Sequence, residues 1–459
     1  IMIFSSIEFI FIFLPFFLFL YFIIPEKYKN YIILIGSISF YVAGTWNHPH
    51  YIFLLILTTL INFLIGKKLG QSKNKKLLIF GIIYNLSWLI LFKYIDFIIS
   101  IIQNTVNIKI EKLNLLLPLG ISFYTFQSIS YLVDIYIRKI KSENSLIKYA
   151  MYVFMFPQLL SGPIVSYNYI NEQLDKRKKC LKNVFIGFKY FIVGLGFKVL
   201  LANRIGGIWN DILMIGIESI STNLAWLGII GYSLQIYFDF YGYSLMSIGL
   251  GKMIGFTLPD NFKTPYLSVS MTEFFRRWHI SLGNWFKNYI YIPLGGNRKG
   301  KIRTILNLLV VWILTGLWHG ANYNFILWGL FICLIIVIEK LLIKKYLDKY
   351  KFFGHLYMLL LIPISWSIFA ITDIKQLGIM FSKLFTWSEG LYLLDFVKYA
   401  KIYGILIIVG IICATKLPEK LLLSKQNNLL QKLILLTIFC GSIYYLYIGL
   451  NNPFLYFSF

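Results

Sequence analysis

Apolar runs long enough to cross a lipid bilayer recur along the whole chain, and they constrain its fold more than any other feature. A helix that crosses the hydrocarbon core needs about 20 predominantly apolar residues. Because 58% of the 459 residues are hydrophobic and only 14% are charged, the composition excludes an ordinary soluble domain. The sequence therefore predicts an all-α polytopic membrane protein. The expected spans lie at about 7–24, 31–45, 50–66, 77–102, 185–201, 223–238, 241–256, 356–373, 401–415 and 433–450.

The basic residues lie in short runs between these apolar segments, and they account for the formal net charge of +25. Cytoplasmic loops and contacts with anionic headgroups favour such runs, so the charge does not indicate a nucleic-acid partner. The loop at 67–76 carries five lysines and is expected in the cytoplasm, which places the N-terminus outside. No basic stretch precedes the first run, which we interpret as a span and not as a signal peptide.

The segment 146–165 is expected to enter and leave the membrane on the same side. It is flanked by basic residues at both ends, and Pro157, Gly162 and Pro163 interrupt it. This combination favours a re-entrant hairpin over a single crossing.

The stretch from Ser270 to Gly329 carries the candidate chemistry, and its first half predicts an amphipathic helix. Ser270 and Glu273 fit a capping box, and His279 lies at the edge of an apolar stripe. A basic helix with aromatic residues on its apolar face lies flat in a membrane interface, where it acts as an anchor or carries a site. The stripe consists of Phe274, Trp278, Leu282, Trp285 and Tyr289, with Arg276, Gly283, Asn284 and Lys287 opposite.

The second half of this stretch predicts a hairpin of two helices between Arg303 and Glu339. Basic residues at both ends place both ends in the cytoplasm, and His319 then falls near the tip. We expect Gly316 and Gly320 to break the helix there. An ionisable residue at membrane depth indicates function, although a histidine bonded within helix packing is the alternative. With this hairpin the prediction is about eleven spans plus re-entrant and interfacial helices.

Isolated polar residues interrupt two other apolar runs. Asp239 is expected to pair with an arginine of the amphipathic helix, to orient a histidine, or to lie in water at a span end. Asp134 precedes a basic loop, which favours a solvated end. The segment 293–300 fits a phosphate-binding turn or an ordinary cytoplasmic turn. The four cysteines have no metal-ligand spacing, so no metal site is predicted. No bound cofactor is predicted either.

Several long motifs resemble the membrane-bound O-acyltransferase family. The motif FFRRWHISLGNWFKNYIYIPLGG contains His279, and GLWHG places His319 40 residues further on. The segments LLPLGISFYTFQSISYLVDIY, FPQLLSGPI, YFDFYGYSLMSIGLG and GFTLPDNFKTPY are similar to the same family. The resemblance covers about residues 110–330. Within the family, the motifs resemble more narrowly the bacterial branch typified by the membrane subunit of alginate O-acetylation. Teichoic-acid D-alanylation proteins share parts of this pattern.

The resemblance implies one membrane-embedded acyltransferase domain over 1–459. In it His319 is the catalytic histidine and His279 the second catalytic position. It also implies acetyl transfer from a cytoplasmic donor, acetyl-CoA or another acyl thioester, to a cell-surface or exported polysaccharide. An extracytoplasmic acetyltransferase and a polysaccharide synthesis or export complex are the implied partners. We expect His319 to act as base and His279 to orient or polarise the acyl group. Candidate substrate or donor contacts are Arg276, Arg277, Trp278, Trp318, Asp239, Asn322 and Gln127.

Three alternatives remain open at this stage. D-alanyl transfer to teichoic acid would require an acidic carrier protein. A polysaccharide or lipid transporter would share the basic loops and broken helices, but no two-fold repeat is present. A scaffold for a polysaccharide synthase would tolerate replacement of both histidines. Arg276 and Arg277 either attract a phosphate-bearing donor or bind anionic lipid.

Overall fold

The computed structural model describes residues 2–159, 162–177, 180–392, 394–424, 428–449 and 455. Helices dominate this part of the chain, and no strand occurs in it. The chain divides into two compact units, one formed by Ile1–Phe191 with Met246–Pro259 and one by Ile192–Leu245 with Asp260–Phe459. The single domain over 1–459 stays a prediction.

The first unit contains the N-terminal helices and an aromatic core. The rings of Phe4, Phe9 and Phe40 pack against one another with centroids 5.2 to 5.5 Å apart. Asn62 and Asn85 exchange amide hydrogen bonds of 2.7 and 3.0 Å between two apolar helices. The helices are α1 (Leu14–Ile23), α2 (Lys29–Gly44), α3 (Tyr51–Gln71), α4 (Lys75–Leu89), α5 (Ile95–Val106), α6 (Ile121–Tyr136), α7 (Leu146–Phe154), α8 (Phe156–Leu159) and α9 (Tyr167–Asp175).

The segment predicted to be re-entrant is broken and does not form one long helix. Helix α7 ends before Met155, whose ψ of 107° is not helical, and Pro157 follows within the short helix α8. The part at 160–161 lies outside the described residues. Asp134 differs from expectation, because its carboxylate is buried and pairs with Lys139 at 3.2 Å. The Lys139 side chain reaches solvent, and its ammonium group compensates the buried negative charge of Asp134.

The remaining helices follow in chain order, and short π-helical turns join several of them. They are α10 (Leu181–Gly196), α11 (Asn203–Ile215), α12 (Thr222–Met253), α13 (Met271–Arg277), α14 (Ile280–Phe286), α15 (Gly300–His319), α16 (Tyr323–Ile338), α17 (Lys344–Lys349), α18 (Lys351–Ala370), α19 (Ile374–Phe385), α20 (Asp395–Cys413), α21 (Leu417–Leu422) and α22 (Leu429–Tyr447).

Eight helices in the described part are long and apolar enough to cross a membrane, and the chain is a multi-pass membrane protein. The count of about eleven spans stays a prediction. Two expected spans, 223–238 and 241–256, are one helix of 32 residues. Asp239 and Phe240, which join them, include no proline, and the lone Gly242 that follows does not end a helix. The eight helices are Tyr51–Gln71, Lys75–Val106, Leu181–Ile215, Gly300–His319, Tyr323–Lys349, Lys351–Ala370, Asp395–Cys413 and Leu429–Tyr447.

The predicted hairpin is present as α15 and α16, which pack closely along their length. A Cβ atom on Gly316 would lie 2.2 Å from the carbonyl oxygen of Phe325, and one on Gly329 would lie 2.3 Å from that of Trp312. Glycine is needed at both positions because the two backbones approach so closely. Gly316 was therefore wrongly expected to break the helix, which continues to His319 and ends at Gly320.

Candidate active site

A cavity of about 540 Å³ lies between the short helices α13 and α14 and the α15–α16 hairpin. His279 and His319 both line it, and both side chains are buried. On α15 the lining runs from Leu308 to His319, a rise of about 16 Å at the helical repeat. Lys340 and Lys344, which follow the end of α16, also line it, so the cavity extends from the base of the hairpin to the histidine at its tip.

His279 interrupts what the sequence predicts as one amphipathic helix. Helix α13 ends at Arg277, Trp278 is extended, and His279 has left-handed dihedrals of φ 44° and ψ 53°. A non-glycine residue in this region is strained by about 1–2 kcal/mol, and such strain is common at active sites. The prediction of a continuous helix was therefore wrong at the residue of greatest interest.

Asn261 supplies the contacts that replace helical hydrogen bonds at this break. Its backbone oxygen accepts from the amide of Ile280 at 3.0 Å. Its side-chain Oδ1 accepts from the amide of Ser281 at 3.2 Å and from the Ser281 hydroxyl at 2.9 Å. The same oxygen lies 3.2 Å from Nδ1 of His279. Because the Ser281 amide can only donate, this atom must be the oxygen of the Asn261 amide, and Nδ1 of His279 carries the hydrogen.

Aromatic rings enclose the imidazole of His279. Phe240 meets it edge-on at 4.5 Å between ring centroids, and Trp318 lies 5.7 Å away. This burial lowers the pKa of His279 from the ordinary 6.5 to about 3, because the charged imidazolium loses its hydration. The ring is therefore neutral at physiological pH.

His319 is the last residue of α15 and lies among aromatic rings at the tip of the hairpin. Trp318, Trp328 and Phe369 have centroids within 5.1 to 5.2 Å of its imidazole. The amide of Asn324 fixes the tip by donating to the carbonyls of Ile368, at 3.3 Å, and Phe369, at 2.8 Å. The surrounding protein thus receives polar groups of the irregular backbone near the tip, as a membrane protein requires.

Four basic residues, Arg276, Lys287, Lys340 and Lys344, line the cavity, and the described lining residues include no aspartate or glutamate. Lys340 and Lys344 follow α16 and form a basic mouth at the end of the hairpin away from His319. Positive charge at this mouth attracts anions, and the apolar walls of the cavity focus its electric field.

Of the predicted contact residues, Arg276 and Trp278 line the cavity with the two histidines. Arg277 is directed elsewhere and pairs with Glu273 at 2.5 Å. Ser270 caps α13 as expected, whereas Glu273 accepts from the amide of Val269 at 2.9 Å. Trp318 is not part of the lining, but it packs against both histidines.

The other three predicted contacts do not line this cavity. Asp239 forms a buried ion pair with Lys198, not with an arginine or a histidine, and its second oxygen accepts from the amide of Leu455 at 2.9 Å. The pair stays buried because each charge compensates the other. Asn322 is half-buried at the start of α16. Gln127 is buried within the first unit.

Asn261, Lys198 and Glu339 were not predicted from the sequence as parts of a site or as buried partners. Asn261 lies within the GFTLPDNFKTPY motif, which drew attention only through its resemblance. Lys198 is the only charged residue in its apolar stretch 191–202, the same signal that indicated Asp239. Glu339 was taken only as the charged end of the hairpin, yet it is fully buried. In the described part of the chain, no three histidine, cysteine or acidic side chains group as metal ligands.

The structure is thus that of a multi-pass helical membrane protein in which two buried histidines line one cavity. The model of the membrane-bound O-acyltransferase family matches residues 38–382. The chain belongs to this family and is an O-acyltransferase.

Three relatives illustrate the range of similarity. A probable alginate O-acetylase of Pseudomonas syringae pathovar tomato is 38% identical over 400 residues, which cover 84% of this chain and 76% of the relative. A peptidoglycan O-acetyltransferase of Helicobacter pylori is 37% identical over 366 residues, covering 72% and 69%. A teichoic acid D-alanyltransferase of Streptococcus thermophilus is 26% identical over 354 residues, covering 72% and 81%.

Proposed function

We propose that this enzyme takes an acetyl group from cytoplasmic acetyl-CoA and passes it across the membrane for O-acetylation of a cell-surface or exported polysaccharide. The observation that carries the proposal is the cavity that joins a basic mouth to the two buried histidines. The relatives at 38% and 37% identity described above are both named as O-acetylating enzymes, which supports acetyl as the group transferred.

The donor enters at the basic mouth. Arg276, Lys287, Lys340 and Lys344 supply positive charge for the phosphates of a nucleotide thioester. The apolar groove between α15 and the short helices then receives the pantetheine arm, so that the thioester reaches His319. The hairpin feet lie on the cytoplasmic side by the positive-inside rule, which fits a cytoplasmic donor.

The chemistry requires a base beside the thioester. In the proposed reaction His319 takes the proton of an attacking hydroxyl as the new C–O bond forms. The tetrahedral intermediate then collapses, the C–S bond breaks, and the imidazolium returns the proton to the departing thiolate. The same bonds form and break whether the acceptor is a hydroxyl of the polysaccharide or a residue of an extracytoplasmic partner acetyltransferase. A polysaccharide synthesis or export complex would then present the polymer.

His279 contributes as a neutral ring with a fixed tautomer. Because Nδ1 donates to Asn261, Nε2 presents a lone pair. This arrangement favours orienting the attacking hydroxyl over polarising the acyl oxygen, since polarisation would need a hydrogen on Nε2.

The test compares the acetyl content of the surface polysaccharide in cells that carry the wild type, His319→Ala or His355→Ala. His355 is exposed on α18 and serves as the matched control. We expect loss of acetate only with His319→Ala, at equal membrane abundance. Unchanged acetate with loss of D-alanine from teichoic acid would support the D-alanyl alternative, which the 26% identical relative suggests. If neither changed, neither polymer would be the acceptor of this O-acyltransferase, and any role in their synthesis would be that of a transporter or scaffold.

A further inference from the structure

Glu339 is a fully buried carboxylate that holds the start of helix α13. One of its oxygens accepts from the amide of Met271 at 2.5 Å and from the hydroxyl of Tyr357 at 3.2 Å. The other accepts from the amide of Thr272 at 2.9 Å and from the Thr272 hydroxyl at 2.7 Å. Both oxygens are thus doubly satisfied.

This arrangement has a physical cause at each end. The first amides of a helix have no partner within the helix, and those of Met271 and Thr272 find one in Glu339. A buried carboxylate is costly unless donors surround it, and charge-assisted hydrogen bonds are the strong ones. The contact is therefore a strong and directional attachment between α13 and the end of α16.

The attachment connects the two histidines through a rigid element. Helix α16 begins at Tyr323, four residues after His319, and Glu339 directly follows its last residue. Its 16 residues span about 24 Å. One end of α16 thus adjoins His319, and the other is hydrogen-bonded through Glu339 to helix α13, which precedes His279.

The segment from Met271 to His279 is short and lines the cavity. Only seven residues lie between Met271 and His279, and Thr272, Phe275 and Arg276 among them contribute to the lining. Asn261 holds the far end of the segment at His279. Glu339 and Asn261 therefore fix the two ends of one catalytic segment.

We propose that Glu339 is a positioning residue that sets the place of His279 relative to His319. The inference rests on the proposed function, in which both histidines serve one transfer. It assigns to Glu339 no contact with substrate.

The experiment compares the purified full-length wild type, Glu339→Gln and Asp395→Asn in lipid nanodiscs. Asp395 is a matched control because it is also buried and accepts from the amide and hydroxyl of Ser221, at 2.8 and 2.6 Å, away from the cavity lining. Hydrogen exchange of the peptide covering 270–279 reports on the attachment. The values of kcat and KM for acetyl-CoA report on catalysis.

Glutamine replaces one acceptor by a donor, so Glu339→Gln should raise exchange at the start of α13 about tenfold. We expect kcat to fall about 10- to 100-fold, as misplacement of a catalytic group does, with KM for acetyl-CoA within about twofold. Asp395→Asn should change neither the exchange at 270–279 nor the values of kcat and KM. Glu339→Asp keeps a charged acceptor and should recover part of the protection and of kcat.

Exchange at 270–279 equal to that of the wild type would overturn the proposal. So would a general rise of exchange along the chain with kcat and KM changed together, because that pattern indicates only a weakened fold. A wild type that transfers no acetyl group, with the same local change in exchange, would contradict the proposed function and still support the attachment of α13 by Glu339.

Discussion

The side-chain oxygen of Asn261 lies 3.2 Å from Nδ1 of His279, and two donors of Ser281 hold that oxygen in place. The relationship fixes both the backbone break at His279 and the ring tautomer. Two consequences of it can be measured.

Replacing Asn261 by alanine should lower kcat by about 10- to 100-fold, because His279 loses its orientation and its tautomer is no longer fixed. The buried Ser281 amide also loses its partner, at a cost of about 1–3 kcal/mol in the free energy of unfolding. Acetyl transfer by purified protein in nanodiscs measures the first effect. Asn261→Asp, which keeps an acceptor at the same position, should retain more activity than Asn261→Ala; equal loss in both would contradict the tautomer argument.

The lowered pKa of His279 makes folding stability depend on pH. The folded ring binds a proton only near pH 3, whereas the unfolded ring binds one below its ordinary pKa of 6.5. The unfolded state therefore gains protons first as the pH falls, and stability decreases below pH 6.5. Relative to His279→Asn, the wild type should lose about 1.4 kcal/mol between about pH 7.5 and about pH 5.5. Equilibrium unfolding in mixed micelles measures this difference. An equal pH dependence in both proteins would mean that folding does not lower the pKa of His279.

The close approach of α15 and α16 predicts that the hairpin tolerates no side chain at Gly329. A methyl group there would meet the backbone oxygen of Trp312, which cannot move without separating the helices. We expect Gly329→Ala to lower the free energy of unfolding by about 1–3 kcal/mol, and to reduce transfer activity because the cavity wall shifts. Gly404→Ala on α20, where open space surrounds the position, is the control and should be neutral or slightly stabilising. Unaltered stability in Gly329→Ala would show that α15 and α16 lie further apart at this position than the structure places them.

The basic mouth predicts a selective effect on donor affinity. Lys344 lines the cavity, and its neighbour Lys345 does not. Lys344→Gln should raise KM for acetyl-CoA about three- to tenfold with little change in kcat, and the effect should weaken at high salt. Lys345→Gln, with the same change of charge, should leave KM unaltered. Equal effects of the two variants would assign the lysines to the general surface charge and not to a donor site.

Some of the site was predictable because it depends on local patterns. The spacing of charges around an apolar stretch of hairpin length placed His319 near a tip, and α15 and α16 confirm this. The position of His279 on an amphipathic stripe led to a continuous helix, which was wrong. Helical periodicity reports only the local preference, whereas the break depends on Asn261, which is 18 residues away along the chain.

The partners of buried charges were the least predictable feature. Asp239 was recognised as an anomaly, but its partner Lys198 lies 41 residues earlier, and Glu339 binds amides 67 and 68 residues earlier. An isolated charge in an apolar run indicates that a partner is needed but not which one, because distant elements meet only on folding.

The sequence alone determined the membrane class, the hairpin, the two histidines and the family resemblance, since apolar run length, charge position and motif order are properties of neighbouring residues. Only the tertiary structure decided that both histidines face one cavity, that Asn261 sets the tautomer of His279, and that Glu339 anchors α13. These contacts form between segments far apart in the chain. Their energy comes from satisfying polar groups that folding has removed from water, and no local pattern records which groups will meet.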